Sequence, residues 1–133
     1  FNKYKNDSLF VHSADANDIS KGLPIAIIVN KHSASAAEIF AGAMQDNNRA
    51  IIVGTSTYGK GLIQTVIPLT DGSAIKLTTA RYFRPSGAPI NKSGIRPDIV
   101  VQSSANTRSN DDNNSIYDDL QLSEAINIMN NRL

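Results

Sequence analysis

The chain has 133 residues with a net charge of +1 and no cysteine, and 41% of the residues are hydrophobic. This length and composition suit one globular hydrophobic core. A net charge near zero argues against a bulk electrostatic binder of nucleic acid, and the lack of cysteine excludes disulfides, thiolate metal sites and a cysteine nucleophile.

The amino-terminal half predicts a strand, a helix and a second strand. The first twenty or so residues are polar, with one short apolar patch at 9–11. The run Pro24 to Asn30 is continuously apolar and β-branched, which is typical of a buried strand. Residues 34–47 are alanine-rich with apolar side chains at helical spacing, and 50–54 is a second apolar run. This order favours an α/β unit.

The second half predicts mostly β structure followed by a linker and a helix. Two β-rich runs, 62–69 and 74–83, flank an Asp-Gly pair that suits a tight hairpin turn. A short strand is expected at 99–101. Residues 102–119 are almost wholly polar and read as a flexible linker, and 120–133 has one apolar helical face.

The apolar runs and the opening residues bear on membrane insertion and export. No apolar run approaches the roughly 18 residues that span a bilayer, and the opening FNKYKNDSLF is not a signal peptide. Because the first residue is Phe1 rather than methionine, we expect the chain to be a processed or truncated part of a longer protein.

The turn before the predicted helix offers a serine nucleophile. Ser33 and Ser35 lie where backbone N–H groups and the positive end of a helix dipole could stabilise an oxyanion. Ser35-x-x-Glu38 is also a capping-box pattern, in which the hydroxyl only satisfies a helix N–H. The local sequence leaves both interpretations open.

A serine nucleophile needs a base, and the candidates are histidine or lysine. His12 and His32 are the only histidines, and His32 lies awkwardly close to Ser35 in sequence. Lys60 stands between two glycines, with apolar residues following. A lysine that acts as a base near pH 7 needs its pKa lowered from about 10.4 to near 7, which burial can provide.

The same loop offers a phosphate-binding alternative. Residues 54–60 match the pattern G-x-x-x-x-G-K after a predicted strand. Gly61 then stands where a magnesium-binding serine or threonine belongs, and β-rich sequence follows instead of a helix. Metal sites are also disfavoured, because the paired aspartates at 111–112 and 118–119 fall in the predicted linker. No cofactor is expected.

Together, these segments resemble the C-terminal processing peptidases, also called tail-specific proteases. The resemblance runs from about Gly22 to Val101 and more weakly to the final helix. It rests on the order and spacing of several short motifs: SASAAEI at 33–39, AMQD at 43–46, NRA at 48–50, VG at 53–54, YGKG at 58–61, Gln64, DGS at 71–73, LTTARYF at 77–83, PSG at 85–87 and GIRPD at 94–98.

The resemblance implies a serine endopeptidase with a Ser–Lys dyad. Ser35 corresponds to the nucleophile and Lys60 to the general base. Gln64 matches a glutamine thought to orient the lysine, and Asp46 matches an acidic residue with a supporting role. Ala36 would offer one oxyanion N–H.

On this interpretation, Glu38 is free to orient neighbouring groups. The implied fold is an incomplete protease core of α/β class, with a crotonase/ClpP-like strand–helix–strand, a β-hairpin region and a C-terminal helix. Residues 1–101 would form the C-terminal part of the catalytic domain. The implied location is exported, periplasmic or cell-envelope.

The family's upstream oxyanion segment and its peptide-binding PDZ domain have no counterpart in these residues. The expected partner is a polypeptide substrate, and a PDZ domain is expected in the full-length protein. We expect the 133 residues alone to have little or no peptidase activity. A non-catalytic binding or scaffold relative remains the alternative from another functional class.

Overall fold

The computed structural model describes residues 2–4, 9–103 and 119–132. These residues form two sheets and two helices. The elements in chain order are β1 Asn2–Tyr4, β2 Leu9–Phe10, β3 Ala26–Val29, α1 Ala36–Asp46, β4 Ile51–Gly54, β5 Leu62–Pro68, β6 Ala74–Tyr82, β7 Ile99–Val100 and α2 Leu120–Asn130. The mixed α/β class predicted from the sequence is confirmed.

A parallel sheet of order β3-β4-β7 carries the strand–helix–strand unit. β3 pairs with β4 from Ala26↔Ile51 to Val29↔Gly54, and β4 pairs with β7. These strands and α1 lie inside the ranges that the apolar runs predicted. Because both parallel strands end at the same edge, the segments that follow Val29 and Gly54 leave the sheet side by side.

The second sheet is antiparallel, with the order β2-β1-β6-β5. β5 and β6 form the predicted hairpin, in which the Leu69 N–H donates to the Ser73 carbonyl oxygen at 2.8 Å. β1 and β2 were not predicted, because their sequence is short and polar. β1 pairs with β6 on one side and with β2 on the other, and local sequence does not reveal the long-range pairing with β6.

The core lies between α1 and the parallel sheet. Its buried members come from β3, α1, β4 and the segment before β7, namely Val29, Ala41, Ile52, Ile90 and Ile95. Val53, which alternates with Ile52 along β4, is also fully buried, so both faces of this strand are covered. α2 packs against β3 and β4.

α2 covers Leu120–Asn130, within the range predicted as a helix. Asp119 caps it by accepting from the backbone N–H groups of Gln121 and Leu122. Residues 104–118, most of the predicted linker, lie outside the described residues. No described helix combines the length and the apolar character needed to cross a membrane.

Candidate active site

Ser35 lies in the turn between β3 and α1, as the N-cap residue of the helix. Its backbone has φ 57° and ψ −118°, a combination that residues with a side chain rarely adopt. Such a conformation costs about 1–3 kcal/mol and persists only where the surrounding structure holds it. The turn therefore presents a serine in a strained conformation at the positive end of a helix.

Ser33, the other serine in this turn, is occupied by hydrogen bonds within the fold. Its hydroxyl accepts from the Asn30 N–H at 3.1 Å, and its own N–H donates to the Asn30 carbonyl oxygen at 2.9 Å. Its carbonyl oxygen accepts from the Tyr58 N–H at 3.0 Å. Ser33 thus shapes the turn and ties it to the loop after β4.

Glu38 joins the turn that contains Ser35 to that loop through a fully buried carboxylate. Its Oε2 accepts from the backbone N–H groups of Ser35 and Lys60, each at 2.8 Å. Its Oε1 accepts from the Gly59 N–H at 2.6 Å and from the Thr57 hydroxyl at 2.5 Å. The amide nitrogens of Ser35 and Lys60 therefore lie within twice 2.8 Å of each other.

Ser35 and Glu38 form the predicted capping box, but Glu38 does more than cap the helix. A carboxylate offers about four acceptor positions, and four donors from two separate segments fill them here. This full satisfaction explains why a carboxylate is tolerated without any exposed surface. Glu38 thus holds the two backbones that carry the proposed nucleophile and base.

Lys60 lies in the loop between β4 and β5, with its backbone fixed and its side chain exposed. Within the described residues, the Lys60 side chain makes no hydrogen bond or ion pair. The loop itself packs closely, because a Cβ at Gly61 would overlap the backbone of Asn91. The Lys92 N–H also donates to the Gly59 carbonyl oxygen at 2.9 Å.

Ala36, the predicted oxyanion donor, is the first residue of α1. A backbone N–H at this position has no carbonyl of a preceding helical turn to bond. The Ala36 side chain is exposed, so this end of the helix is open to solvent. The position therefore suits an oxyanion that forms on a group bonded to Ser35.

Asp46 lies at the opposite end of α1, about 16 Å along the helix axis from Ser35. It pairs with Arg84 and accepts from the Ser86 N–H at 2.9 Å. Burial alone would raise the pKa of Asp46, but the hydrogen bonds from Ser86 and the interaction with Arg84 outweigh it and hold this pKa below its usual value. The structure does not bring Asp46 to the Ser35–Lys60 region.

Gln64 lies on β5, exposed and opposite Thr78 of β6. β5 begins at Leu62, so Lys60 stands before the strand, and a bulge between Ile63 and Gln64 interrupts its alternation. A face shared by Lys60 and Gln64 therefore does not follow from strand geometry. The orienting role of Gln64 stays a prediction.

The sequence also raised His32 as a base, the loop at 54–60 as a phosphate site and a metal site. His32 is exposed in the turn between β3 and α1, and its backbone N–H donates to the Asn30 side chain at 2.9 Å. The loop at 54–60 is followed by β5 rather than by a helix, so it lacks the strand–loop–helix order of a phosphate-binding loop. In the described part of the chain, no three acidic or histidine side chains cluster as metal ligands do.

Sequence reasoning missed two polar residues that organise this region. Thr57 bonds Glu38, and Arg84 bonds both Asp46 and the Gln45 side chain at the other end of α1. Their partners lie 19 to 39 residues away in the sequence. No local pattern marks such contacts, because they depend on how the loops fold onto α1.

The family model for peptidase family S41 matches residues 2–101, which include the turn, α1 and the lysine loop. The chain belongs to peptidase family S41. The matched range also includes β1 and the antiparallel sheet, so both sheets belong to the S41 region.

Curated relatives of this chain are named as C-terminal processing peptidases or proteases. The chain is 49% identical over 91 residues to a chloroplastic C-terminal processing peptidase of Tetradesmus obliquus, covering 68% of this chain and 20% of that protein. It is 48% identical over 98 residues to a carboxy-terminal-processing protease of Bartonella bacilliformis, covering 74% and 23%. The chain thus spans about a fifth of the length of these relatives.

A solved structure shares the fold. A photosystem II D1 C-terminal processing protease superposes with a TM-score of 0.65 at 48% identity, over 67% of this chain and 23% of that one. The resemblance to C-terminal processing peptidases that the motifs implied is confirmed.

Proposed function

We propose that this S41 chain carries the nucleophile and the base of a serine endopeptidase, with Ser35 and Lys60 as a catalytic dyad. The observation that carries the proposal is the buried Glu38 carboxylate. One of its oxygens, Oε2, accepts from the backbone N–H groups of both Ser35 and Lys60. The strained backbone of Ser35 at the start of α1 supports it, because strain of this kind is concentrated at functional sites.

The proposed reaction proceeds through an acyl-enzyme. Lys60 takes the proton of the Ser35 hydroxyl as Oγ attacks the carbonyl carbon of a peptide bond. The negative charge on the carbonyl oxygen is stabilised by the Ala36 N–H and the helix dipole. The protonated Lys60 then gives its proton to the leaving amine, and a water molecule attacks the ester to release the acid and regenerate Ser35.

We propose that the 133 residues alone have little or no activity. A lysine base has to lose its proton near pH 7, and burial is a principal way to achieve this. The Lys60 side chain is exposed here, and the chain spans about a fifth of its relatives. The surface that would cover the amine, a second oxyanion donor and a PDZ domain would come from other parts of a complete enzyme.

The finer assignments are also proposals. The substrate is a polypeptide cleaved in its C-terminal region, as the names of the relatives suggest. The location is exported, periplasmic or in the cell envelope. Gln64 orients Lys60 once the site is complete, and Asp46 supports α1 from its far end. The β3–α1–β4 unit is assigned to a crotonase/ClpP-like core, with residues 1–101 in the catalytic domain and 102–119 as a linker to the last helix.

A chimera tests the dyad in a complete enzyme. The Tetradesmus obliquus peptidase receives the aligned residues of this chain in place of its own, and cleavage of an unstructured polypeptide is measured. We expect activity in the chimera, and a loss of at least about 10³-fold on Ser35→Ala or Lys60→Ala. Lys76→Ala, at an exposed lysine of β6, is the matched control and should leave the rate unchanged.

Three results would contradict the proposal. A chimera that retains its rate after Lys60→Ala would exclude Lys60 as the base. A folded chimera that binds the polypeptide without cleaving it, beside an active parent enzyme, would favour a non-catalytic binding module. Cleavage by the 133 residues alone, lost on Ser35→Ala, would contradict the expected inactivity of the isolated chain.

A further inference from the structure

We propose that Thr57 is a positioning residue that sets the orientation of the Glu38 carboxylate and, through it, the spacing of Ser35 and Lys60. The catalytic part of this inference rests on the function proposed above. Thr57 is a buried residue in the loop between β4 and β5, three positions before Lys60.

The Thr57 hydroxyl acts both as an acceptor and as a donor of a hydrogen bond. It accepts from the Ile95 N–H at 2.7 Å, and it lies 2.5 Å from Glu38 Oε1. An amide N–H can only donate, and an ionised carboxylate can only accept. The single hydroxyl proton is therefore directed at Glu38.

Ile95 connects this hydroxyl to the hydrophobic core. Its side chain is fully buried in the cluster that includes Val29 and Ile52, and its carbonyl oxygen accepts from the Thr57 N–H at 3.1 Å. Thr57 is thus held by Ile95 at both its backbone and its side chain. A Cβ at the neighbouring Gly94 would press against Thr57, so the two segments lie in close contact.

These contacts connect the hydrophobic core to the groups proposed to react. Ile95 fixes Thr57, Thr57 fixes one oxygen of Glu38, and the other oxygen holds the backbone N–H groups of Ser35 and Lys60. If the Glu38 carboxylate shifted by a fraction of an ångström, the separation of the Ser35 and Lys60 backbones would change. Misplacement of about 1 Å can cost a catalytic site about 10²-fold in rate.

The test uses Thr57→Val, which keeps the branched shape and removes the hydroxyl, and Thr57→Ser, which keeps the hydroxyl. Thr65→Val is the matched control, because it removes an exposed hydroxyl that lies 2.8 Å from the Thr79 hydroxyl on the hairpin. The first measurement is amide hydrogen exchange of the 133-residue chain. The exchange rates of the Ser35 and Lys60 N–H groups are measured, and the Val53 N–H of β4 is the internal reference for global stability.

We expect Thr57→Val to speed exchange at Ser35 and Lys60 by about tenfold or more relative to Val53, which corresponds to the loss of one well-placed hydrogen bond. Thr57→Ser should stay within about threefold of the parent chain, and Thr65→Val should leave Ser35 and Lys60 unchanged. If Thr57→Val leaves exchange at Ser35 and Lys60 unchanged, the positioning role is overturned. It is also overturned if exchange rises equally at Val53, because that result marks only a loss of global stability.

The second measurement places the same variants in the chimera described above. We expect Thr57→Val to lower kcat by about 10- to 100-fold with KM changed less than about threefold, and Thr57→Ser to restore most of kcat. An unchanged kcat, or an equal loss in Thr57→Ser, would overturn the inference. An inactive parent chimera would contradict the proposed function instead, while the exchange measurement would still decide whether Thr57 holds the two backbones.

Discussion

The two ends of α1 are both anchored by a carboxylate, but by different means. At the start of the helix, Glu38 is fully buried and takes all its hydrogen bonds from neutral donors, three backbone N–H groups and a hydroxyl. At the end of the helix, Asp46 pairs with the Arg84 guanidinium and takes one backbone N–H from Ser86. The first anchor joins two loops, and the second joins α1 to the turn after β6.

The difference shows what each arrangement can do. Four neutral donors, three of them fixed in the backbone, hold the Glu38 carboxylate in one orientation. An ion pair between side chains has more freedom at its arginine end, and it depends on the ionisation of Asp46. The Glu38 end is therefore suited to positioning, whereas the Asp46 end is suited to attaching the helix and should respond to pH.

The largest effect is expected at Glu38. Glu38→Gln would place an NH₂ group against N–H donors and leave buried polar groups unsatisfied, so we expect a loss of about 3 kcal/mol in the free energy of unfolding. Glu124→Gln on α2 is the matched control, with an expected change below about 0.5 kcal/mol. Urea unfolding measures both, and similar values for the two would show that the Glu38 contacts contribute little.

A smaller effect is expected at the Asp46 end, and it should depend on pH. Arg84→Met keeps the side-chain length but leaves the Asp46 carboxylate with Ser86 alone, which should cost about 2 kcal/mol at pH 7.

Asp46→Asn tests the pH dependence at the same end of the helix. Because the pKa of Asp46 is below its usual value in the folded protein, its ionisation stabilises the fold above about pH 4. This contribution is lost as the pH falls through the folded pKa. The stability difference between the parent chain and Asp46→Asn should therefore shrink from pH 7 to pH 3, whereas Asp15→Asn, at an exposed carboxylate, serves as the control. A difference that grows on acidification would contradict the assigned sign.

The smallest effect is expected from the backbone of Ser35, and it runs in the opposite direction. Ser35→Gly should relieve the strain of φ 57° and make the chain about 1 kcal/mol more stable than Ser35→Ala, which keeps a Cβ at this position. Thermal unfolding of the two variants measures the difference. A glycine variant no more stable than the alanine variant would show that the turn stores no strain.

Local sequence was sufficient for the secondary structure that surrounds the site. The apolar run before Asn30, the alanine-rich segment and the run at 50–54 each matched one element, because buried strands and amphipathic helices leave their period in the sequence. The capping-box pattern likewise placed the start of α1 next to Ser35. The pairing of β1 with β6 was missed, since strand pairing across 76 to 80 residues leaves no local pattern.

By itself, the sequence determined which residues have the chemistry of a nucleophile and a base, and the order of motifs that marks peptidase family S41. Only the tertiary structure decided which groups meet. It brought the backbones of Ser35 and Lys60 to one oxygen of Glu38 and placed Thr57 behind that carboxylate, while Asp46 went to the far end of α1. The physical reason is that a buried carboxylate has to find its donors in three dimensions, and these donors are mostly backbone N–H groups that every residue type except proline carries.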